Sequence, residues 1–308
     1  MKKVFIDGSA GTTGLRIHER LALREDITVI TLPDEKRKDA QYRKEAINSA
    51  DIAFLCLPDD AAREAVSFIE NDNTVVIDTS TAHRTESSWA YGFPELSGAH
   101  LEKIKSSKRI AVPGCHASGF IALVYPLIEK GIISPEMLLS CFSLTGYSGG
   151  GKKMIGEYEA DERDTLLDAP RIYGLTQTHK HLKEMKAITG IKDFPAFLPV
   201  VGDFYSGMLV SVPLFSSQIN GSTDDIRKIY SEKYTWGMVS YKENADVGGF
   251  LSAGAVSGKD TMTVSVYGNE ERITLEATYD NLGKGASGAA IECMNIVLGV
   301  SPSYGLTE

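Results

Sequence analysis

"FIDGSAGTTGL", residues 5–15, decides the fold. A short apolar run ends at Asp7, glycines follow at positions 8, 11 and 14, and the amphipathic stretch "TGLRIHERLALRE" (13–25) starts at once. Strand, tight turn and helix start therefore follow one another without a gap. The spacing is GxxGxxG rather than GxGxxG, so the common dinucleotide fingerprint is not met, but the context it requires is. At such a junction the backbone can approach a pyrophosphate closely, and the unbonded N–H groups of the first helical turn favour its negative charge. Gly8, Ser9, Gly11, Thr12, Thr13 and Gly14 are the expected cofactor contacts, the hydroxyls adding donors. The competing reading is a glycine-rich connection with no ligand.

Outward from this turn, "ITVITL" (27–32), "DIAFLCLP" (51–58), "TVVIDTS" (74–80) and "RIAVPG" (109–114) read as four further strands. Their apolar runs are nearly continuous, as in parallel strands covered on both faces. Helical patterns lie between them at 13–25, 37–50 and 59–72. The series predicts an α/β fold with a Rossmann-type, doubly wound parallel sheet. The second strand runs into "PDEKRKD", where Asp34 and Glu35 suit a ribose hydroxyl and Lys36, Arg37 and Lys38 suit a 2′-phosphate. The expected cofactor is NADP, with Arg37 and Lys38 on its phosphate; a solvated charged turn is the alternative.

Composition limits what the chain can be. Its 308 residues are 43% hydrophobic and 24% charged, enough for one large or two ordinary domains. A formal net charge of -9 and no basic block longer than "EKRK" argue against nucleic acid or an anionic membrane surface as partner. The start "MKKVFIDGSAG" has too short an apolar run for a signal peptide, so a cytoplasmic location is expected. Cys56, Cys115, Cys141 and Cys293 lack metal-ligand or disulfide spacing, and no metal is expected.

Cys115 differs from the other three. In "IAVPGCHASGF" (110–120) it follows a strand and a Pro-Gly pair and opens a helix, "HASGFIALVYPLIEKG", interrupted at Pro126. The partial positive charge of a helix N-terminus favours thiolate over thiol, which makes Cys115 a candidate nucleophile. Proton management falls to "GLTQTHKHLKEM" (174–185), with His179 and His181. On a helix the two point about 200° apart, so one of them faces a given cleft. His181, with Glu184 three residues on, is the favoured acid/base. Arg84, after the fourth strand, has a fork suited to a carboxylate or phosphate. In "LTGYSGGGKKM" (144–154), Ser148, Gly149 and Lys152 form an expected anion cradle. A dinucleotide fold, a strand-end thiolate and a histidine are what acyl-phosphate or aldehyde redox chemistry needs.

Seven ordered motifs, "FIDGSAGTTGLRI", "DTSTAHR", "YGFPEL", "VPGCHASGF", "GYSGGGK", "THKHLKEM" and "GKGASGAAIECMN", resemble the shorter form of N-acetyl-gamma-glutamyl-phosphate reductase, of the aspartate-semialdehyde dehydrogenase-like superfamily. The resemblance covers essentially the whole chain. It implies NADPH-dependent reduction of N-acetyl-L-glutamyl 5-phosphate to the 5-semialdehyde, a step of arginine biosynthesis, with Cys115 as nucleophile and His179 and His181 as the family's paired histidines. The longer form shows Tyr-Pro after the cysteine; His116 and Ala117 stand there instead, and His116 has no assigned role. Two alternatives stand beside it: an aspartate-semialdehyde dehydrogenase-type enzyme acting on another acyl phosphate, and a non-catalytic NADP-binding sensor.

The remainder reads as an α+β substrate domain with a mostly antiparallel sheet. Strands are expected at 138–146, 194–201 and 207–215, and "TMTVSVYGNEERITLEATYD" (261–280) alternates as a hairpin. One face packs on helices; the other is free for a second copy, which predicts a homo-oligomer, dimer or tetramer, unless Thr263, Ser265, Thr274 and Glu276 are simply solvated. Expected boundaries are 1–114, 115–283 and a C-terminal helix, 284–308, returning to the first domain, with Asn281 and Lys284 at the nicotinamide end.

Overall fold

Apolar runs without alternation become strands buried on both faces. In the computed structural model, which describes residues 1–308, β1 (Lys2–Asp7), β2 (Ile27–Ile30), β3 (Ile52–Leu55), β4 (Val75–Asp78), β5 (Ala90–Tyr91) and β6 (Arg109–Ala111) form one parallel sheet in the order β2-β1-β3-β4-β6-β5. β3 and β4 are buried at every position. The sequence reading contained five of these strands. β5 escaped it because two residues carry no periodicity; only pairing with Ile110 and Ala111 makes them a strand.

The intervening helices are α1 (Thr12–Leu21), α2 (Ala40–Ser49), α3 (Asp59–Ser67) and α4 (Gly98–Ser106). Asp39 caps α2 by accepting from the Gln41 and Tyr42 amides, and Ser97 caps α4 through the His100 amide. The strands and these helices belong to one of two compact units, Met1–Gly114 with Ala286–Leu306; the other is Cys115–Gly285 with Thr307–Glu308.

The C-terminal helix Gly288–Leu298 packs Ala289, Ala290, Cys293 and Met294 against Val4, Ile6, Ile17 and Ile110. The helix is buried all round from Gly288 to Ile296. Its interior Asn295 is satisfied, accepting from Arg24 at 2.9 Å and donating to the Pro302 and Tyr304 carbonyls.

In the second unit, α5 (Cys115–Glu129), β7 (Ser140–Gly146), α6 (Gly151–Tyr158), β8 (Arg171–Ile172), α7 (His181–Thr189), β9 (Ala196–Gly202), β10 (Met208–Phe215), α8 (Thr223–Lys233), β11 (Val239–Tyr241), β12 (Met262–Gly268) and β13 (Arg272–Tyr279) follow in order. The sheet is β11-β12-β13-β10-β7-β9-β8, mixed but mainly antiparallel. Val210, Val212, Val264, Val266, Leu275 and Ala277 are buried on the face carrying α5 and α8. On the opposite face the solvated reading fails: Thr263, Ser265 and Glu276 are buried by the chain itself. The open apolar positions lie further across, at Phe142, Leu198 and Phe215, which is 55% exposed.

Pro126 does not interrupt its helix; α5 runs through it. Proline removes the N–H that would bond the Ala122 carbonyl, and its ring crowds that turn. The Tyr234 hydroxyl, from the residue that caps α8, donates to the Ala122 carbonyl instead, and Tyr230 of α8 donates to that of Leu123 beside it. Tyr234→Phe, which leaves that buried carbonyl with no such donor, is expected to cost about 1–3 kcal/mol in denaturant unfolding. No helix is long and apolar enough to cross a membrane.

Candidate active site

The glycine turn is held by close contacts. Gly8 has φ +88°, and a Cβ there would lie 2.3 Å from the Cys56 carbonyl oxygen; a Cβ on Gly14 would lie 2.4 Å from the Gly8 carbonyl oxygen. Neither position accepts a side chain. Beside this turn is a cleft of about 600 Å³ walled by Gly8, Ser9, Ala10, Asp34, Arg37 and Lys38 among others. Gly11, Thr12, Thr13 and Gly14 form the turn's end and the first residues of α1 rather than the cleft wall. The Thr12 hydroxyl is buried with no hydrogen-bond partner, an open valence at a helix N-terminus that suits a phosphate oxygen. Arg37 pairs with Asp34 at 2.9 Å, while Lys36 turns away to lie over the Tyr42 ring.

A buried ion pair on this cleft escaped the sequence reading. Arg43 of α2 donates to Asp7 at the end of β1 (3.0 Å) and to Glu64 of α3 (2.7 Å). Burial raises the Asp7 pKa above its ordinary value despite the guanidinium, which works in the other direction. The signal was present in Asp7 preceding the glycines, but nothing local links it to a helix 36 residues away.

In the second unit, Cys115 is the first residue of α5 and half-buried. Tyr279 pins this turn: its hydroxyl donates to the Cys115 carbonyl and accepts from the Gly119 amide at 3.1 Å. A Cβ on Gly285 would stand 3.1 Å from that of Cys115, so the glycine lets the chain pass beside the thiol. Of the other cysteines, Cys141 and Cys293 are fully buried and Cys56 packs partly buried against the core, where desolvation pushes its thiol up to about 12. A thiol shifted this way stays protonated and unreactive.

A second cleft, of about 230 Å³, brings Cys115 together with His116, Tyr173, His179 and His181, and with Gly149 and Gly150. Both members of the histidine pair therefore face the thiol's cleft, where helical geometry allowed one. The helical angle does not apply because α7 begins at His181; His179 lies in the preceding turn, and the ring centroids are 4.8 Å apart. His179 Nδ1 accepts the backbone N–H of His181 at 3.2 Å, which places its own ring proton on Nε2. Burial, then Lys180, lowers the His179 pKa. Burial, then His179, lowers that of His116 to about 3.

The chain resembles known proteins along its whole length. Two family profiles match, "Semialdehyde dehydrogenase, NAD binding domain" over residues 9–104 and "Semialdehyde dehydrogenase, dimerisation domain" over 115–281. It is 43% identical to N-acetyl-gamma-glutamyl-phosphate reductase of Trichormus variabilis, covering 99% of each chain, and 43% identical to that of Brucella ovis, covering 96% of this chain and 99% of the other. The chain belongs to the N-acetyl-gamma-glutamyl-phosphate reductase family. Solved aspartate semialdehyde dehydrogenases share the fold: the Vibrio cholerae enzyme at TM-score 0.70 and 15% identity over 97% of this chain and 98% of that one, and the probable Pseudomonas aeruginosa enzyme at 0.72 and 14% over 96% and 98%. Membership makes the protein an oxidoreductase with a nicotinamide dinucleotide cofactor.

Within this reductase-family chain, other candidates sit outside both clefts. Ser148 is buried and its hydroxyl accepts from Asn281 at 2.9 Å, while Asn281 also accepts from the Gly207 amide. Both side chains thus brace the second unit from within. Lys152 is exposed on α6 and does not line the cleft; Gly149 does. Arg84 is buried, donating from Nε to the Val112 carbonyl and from Nη2 to that of Thr79. Its fork clamps a strand-end loop, a duty that a lone arginine in sequence does not announce. Glu184 is buried on α7, one turn after His181. Tyr173 is the cleft residue the sequence reading missed, since nothing in "RIYG" distinguishes it from a packing tyrosine.

Proposed function

We propose that the protein reduces N-acetyl-L-glutamyl 5-phosphate to N-acetyl-L-glutamate 5-semialdehyde and phosphate, with NADPH, through a thioester on Cys115. The observation that carries this reading is the single cleft holding Cys115, His179 and His181 in a chain of this family. The helix N-terminus under Cys115 favours its thiolate, and His181 takes the thiol proton. The sulfur attacks the acyl carbon, the S–C bond forms, and the C–O bond to phosphate breaks with its electron pair leaving on phosphate. Gly149 and Gly150 line the same cleft, and their backbone amides are the donors offered to the departing anion. The dinucleotide, when bound, supplies the hydride that reduces the thioester carbon. His181 then manages the proton on the thiohemiacetal oxygen as the C–S bond breaks and Cys115 returns to thiolate. His181 is favoured over His179 because His179 Nδ1 already accepts the His181 amide.

The cleft of the first unit holds the dinucleotide at Gly8 and Ser9, with Arg37 and Lys38 on the 2′-phosphate. Replacing both Arg37 and Lys38 by serine is expected to raise the KM for NADPH by about 10²-fold or more, at about 1.5–3 kcal/mol for each charge-assisted bond lost, and to leave that for NADH unchanged. Equal changes for both cofactors would remove the 2′-phosphate assignment. The exposed Phe142, Leu198 and Phe215 support a homo-oligomer joined through this sheet face, in a cytoplasmic enzyme. The deciding experiment is a spectrophotometric assay of the purified protein with N-acetylglutamate semialdehyde, phosphate and NADP, beside the same assay with aspartate semialdehyde. Turnover with the first substrate and little with the second is expected. The reverse preference would overturn the substrate, and no turnover with either would overturn the activity.

A further inference from the structure

Behind Cys115 stands a chain of three side chains, in the second unit, that the proposed reaction has not used. Ser143 of β7 is fully buried, and its Oγ lies 2.7 Å from His116 Nδ1. His116 Nε2 lies 2.5 Å from the hydroxyl of Tyr173, which lines the cleft that also holds Cys115. A neutral imidazole has one donor nitrogen and one acceptor, so each end of the chain fixes the other.

The direction follows from Ser143. Its hydroxyl has no other hydrogen-bond partner than His116 Nδ1. If Nδ1 carried the proton, the serine O–H would be left unmade in a dry interior, at a cost of about 1–3 kcal/mol. Ser143 therefore donates to Nδ1, His116 carries its proton on Nε2, and Nε2–H donates to the Tyr173 oxygen. That bond occupies a lone pair of the phenol and leaves its O–H to be donated elsewhere. The wall that Tyr173 shares with Cys115 offers the cleft itself. Burial of His116 keeps the ring neutral, so the relay holds throughout the neutral range.

We propose that the Ser143–His116–Tyr173 relay holds the Tyr173 hydroxyl as a dedicated hydrogen-bond donor to the acyl oxygen of the substrate as Cys115 attacks it. Tyr173 is then a catalytic residue and His116 and Ser143 are positioning residues. As the S–C bond forms, the carbonyl π pair moves onto oxygen, and the phenol O–H bonds to that oxygen. No proton is transferred: Tyr173 stays a phenol, since burial and the neighbouring Cys115 charge both raise its pKa. When the tetrahedral species collapses, the pair returns to carbon–oxygen and phosphate leaves. The same donor serves the oxygen when the thioester carbon is reduced.

The inference rests on the reaction proposed above, and the test separates the two. In Tyr173→Phe, which keeps the ring, kcat with the acyl phosphate is expected to fall about 10²-fold, the usual effect of losing one such donor, with KM within a few-fold. The rate of Cys115 alkylation by iodoacetamide should stay within about 2-fold, because the nucleophile is untouched. Ser143→Ala, which frees Nδ1 to take the ring proton and lets Tyr173 turn back to donate to Nε2, should reproduce most of the kcat loss, and Ser143→Thr should restore it. The ¹⁵N shifts of His116 should report the Nε2–H tautomer in wild type and the Nδ1–H tautomer in Ser143→Ala. An unchanged kcat in Tyr173→Phe would overturn the proposal, as would an Nδ1–H tautomer in wild type or a full-activity Ser143→Ala. The tautomer is read without substrate, so a failed activity reading and a failed relay give different results.

Discussion

Cys115→Ser is expected to lower kcat with the acyl phosphate by about 10³-fold or more while leaving NADPH binding unchanged. The size follows from what the substitution removes. A serine hydroxyl has a far higher pKa than a thiol, and a helix N-terminus that tips a thiol toward its anion does little for an alcohol. The side chains are nearly isosteric, so the turn that Tyr279 pins should survive. Retained cofactor binding follows because Cys115 belongs to the second unit, whereas the cleft proposed for the dinucleotide is lined wholly by first-unit residues. The measurements are steady-state NADPH oxidation and a fluorescence titration of NADPH. Serine turnover within about 10-fold of wild type would remove the covalent route.

A steep loss of stability in acid is the second large expectation, and its source is His116. Burial lowers its pKa from 6.5 to about 3, so below pH 6.5 the unfolded chain binds a proton that the folded chain refuses. The folded pKa is depressed; the contribution is fully present above pH 6.5 and is lost as pH falls toward 3. Each pH unit in that window removes about 1.4 kcal/mol, and at pH 4.5 the loss is about 3 kcal/mol. Urea unfolding at pH 7 and 4.5 should therefore differ by about 3 kcal/mol less in His116→Gln than in wild type. Equal differences would mean that His116 takes a proton in the folded chain. His179, also lowered by burial, adds in the same direction.

Much of this was legible in the chain itself. The continuous apolar runs at β1, β3 and β4 announced a covered parallel sheet because burial on both faces leaves no polar alternation. The glycines at 8 and 14 announced a close-packed turn because no other residue fits 2.3–2.4 Å from a carbonyl oxygen. Cys115 stood apart from Cys56, Cys141 and Cys293 by position alone, at a strand-to-helix junction rather than inside an apolar run.

What failed did so for identifiable reasons. The helical angle assigned His179 and His181 to different sides, but the helix begins one residue after His179's neighbour, and helix starts are the least certain feature of a local pattern. Arg84, Ser148 and Asn281 read only as ligand contacts in the sequence, because they are polar and near motifs; the structure adds that each serves carbonyls, amides or hydroxyls of its own unit. Polar residues inside a protein are needed for such internal bonds as often as for ligands, and composition does not separate the two uses. Pro126 reads as a helix break because its own missing N–H is visible, whereas the tyrosines that replace it lie more than a hundred residues away.

The division follows the range of the forces. Periodicity, glycine geometry and the strand-to-helix placement of Cys115 depend on neighbours within a few residues, so the sequence by itself determined most strands of the two sheets, the close-packed glycine turn and the position of Cys115 at a helix start. The meeting of Ser143, His116 and Tyr173, and of Asp7, Arg43 and Glu64, joins residues tens of positions apart through hydrogen bonds a few ångströms long. Only the tertiary structure decided those, because a bond of that length depends on where the elements pack and is invisible to any local pattern. His116 is the sharpest case: in sequence it is an unexplained neighbour of the thiol, and in the fold it is the ring that orients a phenol toward the cleft.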